Sequence, residues 1–553
     1  VPNRSSVFAD HPPGFRGVFR ADVLARALYA ETAGIARAIP AAVAVPTDAE
    51  DLSALVVWAR RGGHTLIPRG SGSGMSGGAL GPGVVVDLSR FRAIGAVDAA
   101  ERSIRVGTGA LRNDIDAAAR QSGLQFPVDP SSGAFCTIGG MIAANAAGAR
   151  TLRYGATRRW VRGVRCVFDD GSIAWIHREQ PLPMAIPAVA RLVATLAQLR
   201  AQDDAVAATW VHAGVRKESS GYAIAEALAP SGHLVDLLVG SEGTLALFVE
   251  AELSLCAVAA ATASLLVSFH SLEAATTCAR NARDAGATAC ELLDRTFLDV
   301  AASDGPTGVD TTADAVLLIE VDGESVTAAA DAAHHLAAIC RRDGAFDVSS
   351  ALDAESEHRV WALRHAASPI LSRLAPRLRS MQFIEDGCVP PAHFPAYVRG
   401  VRAALARYEM PGVIFGHAGD AHAHVNPLVD VTRSGWRDRV GGILSEVTAL
   451  VASLGGTLAG EHGDGRLRAP LAAAVWRVEA RAAFANIKHA GDPAGVFNAG
   501  CKIAHAGDEA IGALRHDPEA SPLDPQAREA LDHIERGRAW QTYRLATVPP
   551  AEG

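Results

Sequence analysis

The segment VIFGHAGDAHAHVNP at 413–427 places three histidines and an asparagine in a short span. If 422–426 runs as a strand, its period of two puts His422, His424 and Asn426 on one face. His417 lies seven residues before His424, across a Gly-Asp turn. A strand, a turn and a second strand bring both imidazoles to one point. The run GEHGDGR at 460–466 adds Glu461 and His462 between glycines. Two imidazoles and a carboxylate suit zinc or manganese and leave coordination positions open for a substrate.

A second chemistry is written in PRGSGSGMSGG at 68–78, built almost wholly of glycine and serine. Glycines let backbone N–H groups approach a phosphate closely. Residues 72–77 fit GxGxxG, but a dinucleotide loop of the Rossmann kind opens a helix. Here ALGPG and then a strand follow, so a turn between strands would hold the anion. The stretch VDPSSGAFCTIGGMIAANAAGARTLRYG at 128–155 is also rich in small residues. Such a chain can lie flat against a large planar ligand and offer backbone donors to its polar edge.

The elements that must position these residues alternate along the chain. TLIP at 65–68, VVVDL at 84–88 and SIRVGTG at 103–109 read as strands, and NDIDAAARQSG at 113–123 as a helix. Farther on, SLLVSFHS at 264–271 and AVLLIEVDG at 315–323 read as strands. EAATTCARNARDAG at 273–286 and SVTAAADAAHHLAAICRRDG at 325–344 read as amphipathic helices. This repetition suits an α+β domain with helices on one face of an antiparallel sheet. The uncharged stretch 253–268 is too short and too rich in Ala, Ser and Thr for a membrane span. It reads as a strand, a buried loop and a second strand. The tail after about 505 is charged and contains prolines, with one helical stretch near 525–537.

A chain of 553 residues exceeds one core and implies two or more domains. Net charge is −8 with no basic run, which argues against a nucleic-acid partner. The eight cysteines include no CxxC, so neither a zinc knuckle nor a cysteine-rich iron–sulfur site is visible. A reducing compartment is the expected setting. The opening VPNRSSVFADHPPGF lacks the apolar core of a signal peptide. The expected location is cytoplasmic, and peripheral attachment to the inner membrane face is compatible with it.

The two small-residue stretches, KESSGY at 217–222 and VGSEGTLAL at 239–247 together resemble the FAD domain of the vanillyl-alcohol oxidase and p-cresol methylhydroxylase superfamily. The resemblance covers roughly residues 38–255 and implies a two-subdomain FAD-binding domain. It implies that Pro68, Arg69, Gly70, Ser71, Gly72, Ser73, Gly74, Met75, Ser76 and Gly77 wrap the FAD pyrophosphate. Thr137, Gly139, Gly140, Asn145 and Val164 would line the flavin, with Asp129, Pro130 and Gly148 also at the cofactor. Glu242 and Gly243 would close the pocket. No histidine lies in the glycine loop, so FAD is expected to be non-covalent, and Cys136 to be a buried inert thiol.

The second half resembles the C-terminal domain of FAD-linked D-2-hydroxy acid dehydrogenases, whose metal motif has the form GHxGDGNxHxN followed by EHGxG. The resemblance implies His417, His424 and Glu461 as metal ligands, His462 as general base and Asn426 as a substrate contact. EHGDGRLR at 461–468 and FIEDGCVPP at 383–391 resemble the flavin portion of the large FAD and iron–sulfur fused members. FNAGCKI at 497–503 resembles the segment that returns to the flavin, which brings Asn498 there. VWALRHAAS at 360–368 resembles the WxLR segment, whose arginine, here Arg364, would clasp the substrate carboxylate with Ser368 assisting one turn later.

Three departures matter. His422 replaces the motif's asparagine and is either a fourth metal ligand or a substrate contact. A substrate-binding lysine of some relatives has no clear counterpart near 379–386. No iron–sulfur extension is seen, so electrons would pass to a quinone, cytochrome, flavoprotein or iron–sulfur partner. The expected divisions are an N-terminal helical segment 1–37, an FAD-binding domain 38–255, and a substrate and metal domain 256–484. A return to the FAD domain at 485–505 and a tail 506–553 complete the chain. A homodimer is compatible with this plan.

The expected activity is oxidation of a small D-2-hydroxy acid, such as D-lactate or D-2-hydroxyglutarate, to the 2-oxo acid. Hydride would pass to flavin N5, assisted by zinc or manganese. Two other readings stand beside it: a metal-independent flavin oxidase of alcohols or phenols, and a non-catalytic FAD-binding electron-transfer subunit.

Overall fold

The computed structural model describes residues 11–302, 308–371 and 377–548, with side chains described for all of these except 365–371. Three sheets organise the chain. In the first, the strands Val18–Arg20, Ala42–Val45, Val84–Asp87 and Leu66–Arg69 lie side by side in that order. The last three are parallel and the first is antiparallel. Both faces of Ala42–Val45 and Val84–Asp87 are buried, which is why Ala42–Val45 and Val84–Val86 are continuously apolar. Helix Ala49–Gly62 joins two of the parallel strands; Asp48 caps its start, and Gly63 at φ +66° ends it. No helix stands between Leu66–Arg69 and Val84–Asp87, so the glycine loop is a turn between strands, as expected.

The second sheet is antiparallel, in the order Ile94–Asp98, Ser103–Gly107, Leu247–Ser254, Val161–Val167, Ile173–His177. The third is an eight-stranded antiparallel sheet whose central strands are Ala315–Gly323, Ala289–Asp294, Gly412–His417 and His422–Asp430. Strands Ala261–Phe269 and Ala315–Gly323 and helices Leu272–Asp284 and Val326–Arg342 fall within three residues of their sequence readings.

These helices cover one face of the third sheet, packing on Leu265, Val267, Leu292, Leu317, Ile319 and Val425. The period of two then decides what the opposite face carries. Glu291 and Leu293 flank Leu292, and His424 and Asn426 flank Val425. Polar side chains of adjacent strands are thereby turned toward the half that carries the glycine loop. A clasp joins the two there: Arg150 donates to Glu320 at 2.6 Å and to Asp129 at 2.7 Å.

One reading is corrected. Residues 258–260, between Cys256–Ala257 and Ala261–Phe269, are largely exposed, not buried. A crossover between sheets has few partners for its backbone polar groups and takes them from water. The charged tail carries its helix where the sequence places one, and that helix is packed. Its helix Pro525–Arg536 buries Ala527 and Leu531 against Leu28, Val43 and Val85. The N-terminal segment holds a helix, Val23–Leu28, and also supplies the edge strand Val18–Arg20.

Candidate active site

Strand pairing assembles the histidines. His417 sits opposite Glu291, and Phe415 opposite His424. Between the two histidine strands the chain reverses through Ala421 at φ +57°. His417 Nε2 lies 3.4 Å from His424 Nε2 and 3.2 Å from Glu461 Oε1, and His424 Nε2 lies 3.3 Å from the same oxygen. Each outer ring nitrogen is fixed. His417 Nδ1 donates to Glu291 at 2.6 Å, and His424 Nδ1 to the Glu385 carbonyl at 3.1 Å. Glu461 receives Lys217 Nζ on its other oxygen at 2.9 Å.

Two ligand atoms each about 2.1 Å from a tetrahedral ion lie about 3.4 Å apart. The triangle of 3.2, 3.3 and 3.4 Å meets that requirement, and the outer hydrogen bonds hold the rings as metal-ligating histidines are held. These residues fit a divalent metal. Burial works against protonation of His417, but Glu291 outweighs it and holds its pKa up at about 8.

His422 shares the strand face and offers a ring nitrogen within 4.8 Å of the ligand atoms of the triangle, but it is fully buried and does not line the cavity. Its Nε2 donates to Asp386 at 2.8 Å, and its Nδ1 has no hydrogen-bond partner. Burial drives its pKa down to about 3, so the ring is neutral.

His462 stacks on His424, the rings 5.3 Å apart at 17°. Its Nδ1 donates to Glu385 at 2.7 Å and lies 3.5 Å from Asp386. Arg468 holds the second oxygen of Glu385. Burial opposes charge on His462, but Glu385 and Asp386 prevail and raise its pKa to about 10.

Arg364 also reaches the cavity, lying 4.9 Å over the Phe415 ring, but its Nε donates to Glu291 at 2.7 Å. Glu291 therefore holds both His417 and Arg364. The sequence pictured an arginine with its whole fork turned to substrate; burial beside a carboxylate has taken one edge of it. Asn426 lines the same cavity. Ser368 lies outside the residues whose side chains are described.

That cavity, about 820 Å³, runs from the histidines to the glycine loop. Pro68, Arg69, Gly70, Ser71, Gly72, Ser73, Gly74, Met75 and Ser76 line it, as do Asp129, Pro130, Thr137, Gly139, Gly140, Gly148, Glu242 and Gly243. A Cβ on Gly74 would meet nothing within 4 Å, so the loop presents bare backbone to open space. This cradle fits a dinucleotide.

Gly77, Asn145, Val164 and Asn498 do not line it. Val164 is wholly buried in its sheet. Asn145, at φ +52°, ends helix Ile138–Ala144 and accepts from Arg158 N. Asn498 Nδ2 donates to the carbonyls of Gly78 and Glu242, supporting the wall from behind.

Sequence reasoning passed over Glu291, Glu385, Asp386 and Lys217 as working parts. Their signal was composition. Glu291 is an acid within the buried strand Ala289–Asp294, and Glu385–Asp386 follow Phe383 and Ile384. Lys217 is one of only three lysines and is 3% exposed.

The architecture, two flavin-type subdomains and an antiparallel cap sheet, is that of a known class. The 4-ethylphenol oxidase from Gulosibacter chungangensis superposes with TM-score 0.63 at 13% identity, over 88% of this chain and 94% of that one. An alkyldihydroxyacetonephosphate synthase superposes with TM-score 0.60 at 15% identity, over 87% and 82%. These show the fold.

Residues 40–177 match the FAD binding domain, and 258–501 match the FAD linked oxidases, C-terminal domain. The chain belongs to the FAD-linked oxidase family and is a flavin-linked oxidoreductase. The glycolate oxidase subunit GlcD of Bacillus subtilis is 30% identical over 484 residues, 87% of this chain and 92% of that one. The D-lactate dehydrogenase of Archaeoglobus fulgidus is 29% identical over 434 residues, 77% and 83%. The D-2-hydroxyglutarate dehydrogenase of Escherichia coli is 28% identical over 529 residues, covering 88% of this chain and 50% of that longer one. Among the described residues no helix is long and apolar enough to cross a membrane.

Proposed function

We propose that the protein oxidises a small D-2-hydroxy acid to its 2-oxo acid, using non-covalent FAD and a divalent zinc or manganese ion. The observation that carries this reading is the triangle of His417, His424 and Glu461, which opens on the same cavity as the glycine loop. The named substrates of the relatives, glycolate, D-lactate and D-2-hydroxyglutarate, share a hydroxyl beside a carboxylate. A metal-free phenol oxidase would have no use for such a cluster.

When bound, FAD supplies the acceptor for an electron pair, and the metal supplies a Lewis acid for the hydroxyl and carboxylate oxygens. His417, His424 and Glu461 hold that ion. His462 would take the hydroxyl proton at Nε2, since Nδ1 is committed to Glu385; Glu385 and Asp386 favour the protonated ring, so this step needs the positive charge of an ion on Glu461, whose Oε1 lies 3.7 Å from Nε2, to lower that pKa. Glu385 and Arg468 keep the ring against the cavity. The remaining edge of Arg364 and the amide of Asn426 receive the substrate carboxylate.

The test is anaerobic flavin bleaching by a panel of D- and L-2-hydroxy acids, on protein with and without added zinc or manganese. Bleaching by D-acids alone, dependent on metal, is expected. Equal bleaching by both enantiomers, or bleaching by phenols only, would refute the reading.

A further inference from the structure

The segment 506–548 lies beyond the family match that ends at residue 501, yet it forms a wall of the cofactor cavity. Arg515, Arg538 and Trp540 all line it. The segment is anchored by its helix Pro525–Arg536 and by Arg528, which pairs with Glu31 at 2.8 Å. Beyond the helix the chain turns through Arg538 at φ +50° and follows the glycine loop. Arg538 lies 5.4 Å over the Phe135 ring, and Arg544 lies 5.4 Å over Trp540 with Nη2 3.5 Å from the Ser71 carbonyl.

The loop has two ends. Ser71 meets Arg544, whereas Ser76 Oγ donates to the His462 carbonyl at 2.9 Å. Among the described residues no hydrogen bond, ion pair or ring contact of the segment reaches His417, His424, Glu461 or His462. A dinucleotide lying along the loop with its reactive ring at the His462 end therefore presents its pyrophosphate and adenosine to the segment.

Charge agrees with this placement. Arg69 and Arg544 are each 2% exposed. The guanidinium of Arg69 donates to the carbonyls of Tyr29 and Glu31, and neither arginine is salt-bridged to a carboxylate among the described residues. Arg69 Nε and Arg544 Nη1 have no hydrogen-bond partner. Asp87 attracts both arginines and Glu31 attracts Arg544, but without a salt bridge the buried cations remain costly, and a dianion on the other side of the loop offsets that cost.

We infer that the C-terminal segment is a clamp on the ADP half of FAD. Arg538 and Trp540 contact that half, and Arg544, beside Arg69, supports the anion site from behind the glycine loop. The inference rests on the family's FAD site, not on the metal or the 2-hydroxy acid.

The test uses the full chain freed of flavin and titrated with FAD, with no substrate or metal. Arg538 is exposed, so its variants keep the fold. Arg538→Gln is expected to raise the FAD Kd about tenfold and Arg538→Glu further, with Arg538→Lys restoring most of the affinity. The visible spectrum of the FAD-saturated variants should match wild type, because the ring lies at the other end. Wild-type affinity in all three variants overturns the clamp. An altered flavin spectrum overturns its assignment to the ADP half. Failure of the unsubstituted chain to bind FAD would instead strike at the family's FAD site.

Discussion

Glu461 divides its oxygens between Lys217 and two imidazoles, and that division gives neighbouring residues different work. His462→Ala removes the proton acceptor and leaves the triangle intact. Flavin reduction should slow by about two to four orders of magnitude with normal metal content. His424→Ala should lose metal as well as rate. His422→Ala should resemble His424→Ala if the orphaned Nδ1 is a fourth ligand, and should keep its metal if not. Stopped-flow flavin reduction with metal analysis separates these cases; equal metal loss in the His462 and His424 variants would refute the division. Glu291 is one residue removed from the same chemistry, holding His417 and Arg364 together. Glu291→Gln should weaken metal binding about 10-fold or more and raise KM, read by metal titration and steady-state kinetics.

At the scale of elements, one face of the third sheet carries a hydrophobic core and the other carries the acids and histidines. That second face must be held against the FAD-binding half, and the Arg150 clasp to Glu320 and Asp129 is part of the hold. Glu320 is 2% exposed, so its loss leaves a guanidinium without its main partner. Glu320→Ala should cost about 2–3 kcal/mol, measured as a lowered denaturant midpoint, while FAD remains bound. An unchanged midpoint would mean that apolar packing alone holds the two halves.

Across the whole molecule, the glycine loop and the metal cluster belong to separate sheets, and the loop's hydrogen bond to the His462 carbonyl lies outside the triangle of His417, His424 and Glu461. Binding of the two groups should therefore be separable. Dialysis against a chelator should abolish turnover with the flavin absorbance retained, and zinc or manganese should restore it. Full activity in demonstrably metal-free protein would exclude the metal. Acid should release intact FAD, since no histidine lies in the glycine loop; a flavin remaining with the denatured chain would contradict this.

Local patterns were legible without coordinates because they report local forces. Strand and helix periodicity marked Ala315–Gly323 and Leu272–Asp284, and the absence of a helix after Pro68–Gly78 separated this glycine loop from a Rossmann one. Histidine spacing on a strand placed His424 and Asn426 on one face. Tertiary structure alone decided the partners. Glu291, Glu385, Asp386 and Lys217 come from segments far apart in sequence, and a buried charge finds its counter-ion only when the chain closes around it. Nor does spacing distinguish a residue on a cavity wall from one behind it. Val164 and Asn145 share motifs with lining residues and yet face a sheet interior and a helix end. The tail read as charged, with one helix near 525–537, and nothing in that pattern named its partner. Only the packed structure brings Leu531 onto the first sheet and Arg538 into the cavity.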